Sequence, residues 1–316
     1  MILPWFYCGL GLLMLLLAGD LLVKGAVNLS LRIGVPALIV SLTVVAFGTS
    51  APELLVAIKA VLNDSPGIAL GNVVGSNIAN ILLVLGIPAL LARLHTSECD
   101  TRKSFLVMIG ASVLFIILAF QGVIGTISAL ILLGALALVL GDNIWEARCH
   151  RRNGQPDELE ELEEADPDMP YWRIGLYLVL GLIGLPMGAS LLVDSATEIA
   201  SAYGVSDTVI GLTLVAVGTS LPELATTVMA ALRRQADVAL GNVIGSNMFN
   251  LLAIIGVASL FGPIRVDPEF LDYDLWVMLG ASLLLIPFVF FRRDITWPWG
   301  LGLTALYGVY VVTILF

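Results

Sequence analysis

Apolar stretches of about 20 residues recur along almost the whole chain, separated by short polar connections. A stretch of this length crosses the hydrocarbon core of a bilayer as one helix. Lipid offers no hydrogen-bond partners to open backbone groups, and residues 130–140 lack the alternation of a membrane β-barrel strand. The pattern therefore predicts an all-α integral membrane protein. Ten spans are expected near residues 2–31, 36–61, 68–92, 103–120, 124–146, 171–203, 206–232, 238–262, 274–291 and 297–315.

Composition supports a membrane protein. Hydrophobic residues make up 59% of the 316 residues and charged residues 13%, with a mean hydropathy of +0.99. A soluble globular protein has about 25% charged residues, so a soluble enzyme is excluded. The net charge of −10 arises mostly from eight acidic residues within 157–168, which we interpret as a solvated linker between two halves of the chain.

The positions of Lys and Arg set an expected orientation. With the N-terminus outside, 13 of the 15 basic residues fall at cytoplasmic connections, and only Lys59 and Arg265 fall outside. Cytoplasmic loops of membrane proteins carry such an excess of positive charge. We therefore expect a multi-pass protein of the cytoplasmic (inner) membrane, with both termini outside and residues 147–170 in the cytoplasm.

The chain contains an internal repeat. Residues 41–57 match residues 211–227 at ten of 17 positions, and residues 70–80 match residues 240–250 at eight of 11 positions. Both matches have an offset of 170. Each half holds five predicted spans, and an odd number makes the second half enter the membrane from the opposite side. The sequence thus predicts two inverted-topology five-helix repeats, as in many secondary transporters. The expected domains are a first repeat, 1–146, an acidic cytoplasmic linker, 147–170, and a second repeat, 171–316.

The first repeated motif, GTSxPE, places a glutamate within a membrane span in each half. Glu53 and Glu223 would be costly in hydrocarbon without a partner, and no Lys or Arg lies at a comparable depth in either motif helix. A bound cation is the simplest missing partner. The preceding hydroxyl residues supply further oxygen ligands; they are Thr49, Ser50, Thr219 and Ser220.

Proline opens the helix beside each glutamate. Pro52 cannot donate a hydrogen bond to the carbonyl of Gly48, and Pro222 has the same relation to Gly218. The expected result is a kink with carbonyl oxygens free to face an ion, which is how broken transporter helices coordinate Na⁺.

The second repeated motif, GNVxGSNxxN, opens the third and eighth spans. Ser76 and Asn80 are four residues apart, as are Ser246 and Asn250, so each pair lies on one helix face. A small-residue packing interface is the alternative interpretation of this motif alone. Carboxylate, hydroxyl, amide and carbonyl oxygens suit Ca²⁺, Na⁺ or Mg²⁺ rather than Zn²⁺ or copper. No cofactor is expected.

Two copies of GTSxPE, each followed by GNxxGSN, in a ten-span chain resemble the cation/Ca²⁺ exchanger superfamily, and most closely its prokaryotic Na⁺/Ca²⁺ exchangers. The resemblance implies two inverted repeats, four central cation sites and sliding of the first and sixth helices across the core. It implies Glu53 and Glu223 as the main Ca²⁺ ligands and Asn80 as a further ligand. It also implies side-chain oxygens from Thr49, Ser50, Ser76, Thr219, Ser220 and Ser246, and carbonyls of Ala46 and Ala216 at flanking Na⁺ sites.

Asn250 departs from the pattern of some relatives, which carry Asp at this position. A carboxylate there is linked to K⁺ dependence in some of them, so Asn250 favours a K⁺-independent exchanger.

The expected function is a secondary active transporter that exchanges Na⁺ for Ca²⁺ by alternating access, with Ca²⁺ held between Glu53 and Glu223. A Ca²⁺/H⁺ antiporter is the alternative, since two glutamates can also exchange protons, and a Ca²⁺-permeable channel is a third. An enzyme is not expected, because no His lies at membrane depth beside a nucleophile. The expected partners are Ca²⁺, Na⁺ and the lipid bilayer, with H⁺ left open and no nucleic acid; the oligomeric state is not set by the sequence.

Overall fold

The computed structural model describes residues 2–153, 166, 168–203, 216–268 and 270–315, and these are almost entirely helical. The first half contains α1 (Ile2–Ile33), α2 (Ala37–Val40), a π-helical turn (Ser41–Val45), α3 (Ala46–Thr49), α4 (Ala51–Leu62), α5 (Pro66–Leu82), α6 (Gly86–Leu91), α7 (Arg102–Ala119) and α8 (Thr126–Asn153). The second half contains α9 (Tyr171–Ala202), α10 (Ala216–Thr219), α11 (Leu221–Leu232), α12 (Ala236–Phe249), a π-helical turn (Asn250–Ile254), α13 (Ile255–Phe261), a π-helical turn (Phe270–Asp274), α14 (Leu275–Leu283), α15 (Ile286–Phe290) and α16 (Trp297–Leu315).

These helices make the chain a multi-pass integral membrane protein. The described residues hold eight helices long and apolar enough to cross a bilayer, and nine when α2–α3 and α4, bent by 44°, count as one span. All nine coincide with predicted spans. The remaining predicted span, 206–232, is described only from Ala216 onward, where α11 forms a shorter apolar helix.

Two details differ from the sequence-based expectation. Val123–Ile124 and Ile264–Arg265 form a short two-stranded antiparallel sheet, β1 and β2, where the sequence predicts no strand. Their backbone groups lie where helices end, so they pair with each other instead. Helix α8 also continues to Asn153, into the segment assigned to the linker. Of the acidic run 157–168, only Asp166 and Asp168 lie within the described residues.

The two longest helices, α1 and α9, pack against each other through glycines. A Cβ added to Gly11 would lie 3.0 Å from the Gly188 carbonyl oxygen, and one added to Gly188 would lie 3.1 Å from that of Gly11. A Cβ on Gly181 would meet the Ala18 carbonyl oxygen at 3.0 Å. Such contacts allow close backbone approach between membrane helices. The pair shares an apolar cluster with α2 and the following π turn, separate from the larger core around α5, α12 and α13.

The connections at the helix ends also pair across the two halves. Leu94 forms an antiparallel bridge with Ile295, and Ile124 pairs with Ile264 in the β1–β2 sheet. Beside the first bridge, the Arg93 guanidinium contacts the Asp294 carboxylate at 2.6 Å, and the Ser97 N–H donates to the same carboxylate at 3.0 Å. Burial alone raises the pKa of Asp294, but these hydrogen bonds outweigh it and hold the pKa below the usual aspartate value.

Replacing Asp294 by Asn should lower the thermal stability of the detergent-purified protein at pH 7, by about 1–2 kcal/mol from the lost charge-assisted hydrogen bonds. Because the folded pKa is the lower one, this stabilisation is present above the unfolded pKa and is lost as pH falls through the folded value. The melting-temperature difference from the unsubstituted protein should therefore shrink below about pH 4. Asp100→Asn, at an exposed position of the connection that carries Arg93 and Ser97, is the control. An equal difference at pH 7 and at low pH would contradict this assignment.

Candidate functional site

Both GTSxPE motifs break their helices at the serine. Ser50 separates α3 from α4 with φ −85° and ψ 6°, and Ser220 separates α10 from α11 with φ −88° and ψ 4°. Pro52 and Pro222 then sit in the first turn of the new helix, a position that tolerates the missing N–H. Glu53 occupies the same first turn in α4, as Glu223 does in α11. The positive end of the helix dipole favours a carboxylate there.

The two glutamates meet inside the protein. Each is only 1% exposed, and Ser50, in the turn that leads into Glu53, contacts the Glu223 carboxylate. The hydroxyl of Ser50 donates to Glu223 Oε1 at 3.0 Å, and the hydroxyl of Ser246 donates to the same oxygen at 3.4 Å. The first motif of one half therefore reaches the glutamate of the other half.

The threonines of the first motif bond across the halves in the same way. Thr49 donates to Asn242 Oδ1 at 3.3 Å, and Thr219 donates to Asn72 Oδ1 at 3.5 Å. Each asparagine in turn donates from Nδ2 to the backbone oxygen of the glutamate in its own half: Asn72 to Glu53 at 3.4 Å and Asn242 to Glu223 at 3.3 Å. These four bonds form two matched pairs related by the offset of 170.

Four further asparagines form a second reciprocal network. Asn77 Nδ2 donates to the Asn247 backbone oxygen at 3.4 Å, and Asn247 Nδ2 donates to the Asn77 backbone oxygen at 3.3 Å. Asn80 Nδ2 donates to Asn247 Oδ1, and Asn250 Nδ2 donates to Asn77 Oδ1, both at 3.0 Å. Again every bond has its mate at the offset of 170.

Close packing of α12 on the first motif helix sets the distance between these groups. A Cβ added to Gly245 would lie 2.8 Å from the Leu42 carbonyl oxygen and 2.6 Å from the Ala46 Cβ. The Ser41 hydroxyl donates to the Val238 carbonyl oxygen at 2.7 Å on the same interface. Glycine at 245 thus lets Ser246 approach the centre, because any side chain would push α12 away.

Several buried oxygens at this centre have no hydrogen-bond partner among the described residues. They are one carboxylate oxygen each of Glu53 and Glu223, the hydroxyl of Ser220, and the amide oxygens of Asn80 and Asn250. Buried polar groups are nearly always paired, so five such atoms in one region need an explanation. All five can accept a hydrogen bond or coordinate a cation.

The structure brings most of the sequence-predicted residues together. Ser50 of the first half and Ser246 of the second half both donate to Glu223, and Thr49 donates across the halves to Asn242. Ser76 is buried one helical turn before Asn80 in α5. The Ala46 carbonyl accepts the Ser50 N–H at 3.1 Å and the Thr49 hydroxyl at 3.3 Å, and Ala216 begins α10 as Ala46 begins α3.

Sequence reasoning missed four asparagines that form hydrogen bonds around these groups. They are Asn72, Asn77, Asn242 and Asn247, all within the second motif. Their signal was present, because each is identical at the offset of 170 and each lies in an apolar span where an amide needs a partner.

The electrostatics of the centre favour a cation. No described Lys or Arg side chain is buried, so none of the described basic side chains neutralises the two glutamates from within the protein. The described residues contain no group of three or more His, Cys, Asp or Glu that could hold a metal ion by those residues alone. Binding would instead combine two carboxylates with hydroxyl and amide oxygens, the ligand types of hard cations.

Comparisons with known proteins agree with this chemistry. A family profile described as "Sodium/calcium exchanger protein" matches residues 3–144 and 174–316. Sodium/calcium exchanger MaX1 of Methanosarcina acetivorans is 33% identical, with 97% of each chain covered. Inner membrane protein YrbG of Escherichia coli is 36% identical, with 87% of this chain and 85% of the relative covered. A structure of the sodium-calcium exchanger NCX_Mj, soaked with zero Na⁺ and Ca²⁺, superposes with a TM-score of 0.82 at 33% identity, covering 99% of both chains.

Proposed function

The chain belongs to the sodium/calcium exchanger family, and from that premise we propose that it exchanges Na⁺ for Ca²⁺ across the cytoplasmic membrane by alternating access. Ca²⁺ is held between Glu53 and Glu223. The observation that carries the proposal is the convergence of these two buried glutamates, each with an unpartnered carboxylate oxygen, where no described basic side chain is buried. One Ca²⁺ balances two carboxylates in charge.

The surrounding oxygens account for the choice of ions. Ca²⁺ takes about six to eight oxygen ligands, more than two carboxylates supply. Thr49, Thr219, Ser50 and Ser220 provide hydroxyls, Ser76 and Ser246 provide two more, Asn80 and Asn250 provide amide oxygens, and Ala46 and Ala216 provide backbone carbonyls. The same oxygens hold Na⁺ after Ca²⁺ leaves, so competition for shared ligands couples the two fluxes. Asn250 keeps this position neutral, which favours exchange that does not depend on K⁺.

Two inverted repeats of five spans each build the site between them. They correspond to domains 1–146 and 171–316, which the linker 147–170 joins. Support comes from contacts that recur at the offset of 170. Gly11 approaches Gly188 and Leu192, whereas Gly181, the mate of Gly11, approaches the mates of those residues, Ala18 and Leu22. Repeats that enter the membrane from opposite sides allow two equivalent packings around one site, as alternating access requires.

The alternation of sides along the predicted spans has independent support from the paired connections, whereas the placement of both termini outside rests on the Lys and Arg distribution. The bridge between Leu94 and Ile295 joins two connections that the Lys and Arg distribution assigns to the cytoplasm. The β1–β2 sheet joins two connections that the same distribution assigns to the outside. An assignment that placed paired connections on opposite sides would be physically impossible.

The counter-ion is tested with proteoliposomes that contain the purified protein. An outward Na⁺ gradient should drive Ca²⁺ uptake, and dissipating a pH gradient should leave the rate unchanged. Hydroxyl-rich motifs favour Na⁺ because proton exchange does not require so many neutral oxygens. Uptake that follows the pH gradient and ignores Na⁺ would show a Ca²⁺/H⁺ antiporter instead. Uptake that does not saturate with Ca²⁺ and needs no counter-ion would point to a channel.

Glu53→Gln and Glu223→Gln should each reduce Ca²⁺ uptake at least about 100-fold, because each removes one of the two carboxylates proposed to hold the ion. Glu98→Gln, at an exposed position in a connection, should transport normally and serves as the matched control. Size-exclusion profiles and melting temperatures of all three variants check that they fold. If either buried variant transports Ca²⁺ at the normal rate, the central site is assigned to the wrong residues.

A further inference from the structure

The asparagine network at positions 77, 80, 247 and 250 contains a chain of forced orientations. A backbone carbonyl oxygen can only accept hydrogen bonds. The side chains of Asn77 and Asn247 each lie against the other's backbone oxygen, so each must present its Nδ2 there. Their Oδ1 atoms are therefore turned the other way.

The orientation passes to the next pair of amides. Asn247 Oδ1 lies 3.0 Å from the Asn80 side chain, and Asn77 Oδ1 lies 3.0 Å from the Asn250 side chain. An oxygen in this position accepts only from the NH₂ end of its neighbour, because two amide oxygens would repel. Asn80 and Asn250 must therefore donate from their NH₂ groups in this contact, and their own Oδ1 atoms face away from it.

These two remaining oxygens are the ones left without partners. Asn80 Oδ1 and Asn250 Oδ1 are both buried and accept no hydrogen bond from the described residues. Asn250 follows Ser246 by one helical turn on the same face, and the Ser246 hydroxyl reaches the Glu223 carboxylate. Asn250 thus lies on the helix face whose Ser246 contacts Glu223, and Asn80 follows Ser76 by the same spacing in the other half.

We propose that Asn77 and Asn247 are positioning residues for cation binding, each of which holds the amide of the opposite half so that its oxygen, rather than its NH₂, faces the ion. The inference rests on the proposed function, in which ions bind beside Glu53 and Glu223. An amide that turned over would present two N–H donors to a cation, which would weaken binding through repulsion. Each of these contacts joins the two halves, because Asn247 orients Asn80 and Asn77 orients Asn250.

A double-mutant cycle separates this role from a general effect on folding. The apparent Ca²⁺ affinity of the full-length protein in detergent is measured from the rise in melting temperature with added CaCl₂. Asn247→Leu should weaken Ca²⁺ binding about tenfold, the size expected for losing a group that orients a ligand. Asn80→Ala should weaken it by at least about tenfold. The double variant should bind within about twofold of Asn80→Ala, because Asn247 has no amide left to orient.

A second double-mutant cycle uses the other pair, Asn77 and Asn250. It also tests the proposal if Asn247→Leu does not fold. Asn77→Leu should not weaken Ca²⁺ binding further in a protein that already carries Asn250→Ala. It should still weaken Ca²⁺ binding in a protein that carries Asn80→Ala. Asn143→Leu, a matched change of a buried asparagine in α8, should leave Ca²⁺ affinity unchanged.

Three results would overturn the inference. Additive losses in both double variants would show that Asn77 and Asn247 act independently of the amides they contact. Unchanged affinity in Asn247→Leu and Asn77→Leu would show that they orient nothing. Unchanged Ca²⁺ affinity in Asn80→Ala and Asn250→Ala would exclude both amides as ligands. If Glu53→Gln also bound Ca²⁺ with normal affinity, the proposed site itself would be excluded.

Discussion

The structure depends on two buried carboxylates that have no buried basic partner among the described residues. A single acidic side chain at the centre of a membrane helix costs about 2.5–3.5 kcal/mol on insertion scales, and two such groups also repel one another. Glu53 and Glu223 nevertheless lie together with 1% exposure each. Three features surround this pair of glutamates. They are the interruptions of the helices at Ser50 and Ser220, the hydroxyl hydrogen bonds between the halves, and the buried oxygens without partners. The cation that we propose at the centre would explain all of these features.

Close backbone packing makes this arrangement possible. Gly245 lets α12 lie against the helix that begins at Ala46, and the glycines of α1 and α9 let those two helices touch along their length. The polar network then joins the halves wherever backbones come near, as in the mutual bonds between Asn77 and Asn247. Packing sets the distances, and the amides set which atoms face the centre.

Much of this architecture could be predicted from sequence, because an apolar run of about 20 residues has few solutions in lipid. Helix α8 extends beyond its predicted end to Asn153, since the Arg-rich stretch after the membrane contains no helix breaker before Gly154 and Pro156. The β1–β2 sheet could not be predicted, because Ile124 and Ile264 meet only through the tertiary fold. The glutamates and hydroxyl residues were found through their repeat. The orienting asparagines were missed because local spacing reveals which residues share a face and says nothing about bonds between halves.

The most direct test of the central claim is to locate Ca²⁺ in an experimental structure of the protein by anomalous scattering from crystals grown with CaCl₂. The account predicts an anomalous peak between the carboxylates of Glu53 and Glu223, within coordination distance of both, and its loss in Glu53→Gln crystals grown under the same conditions. A peak bound by one glutamate alone or at another place in the membrane region, or a peak that persists in Glu53→Gln, would contradict it.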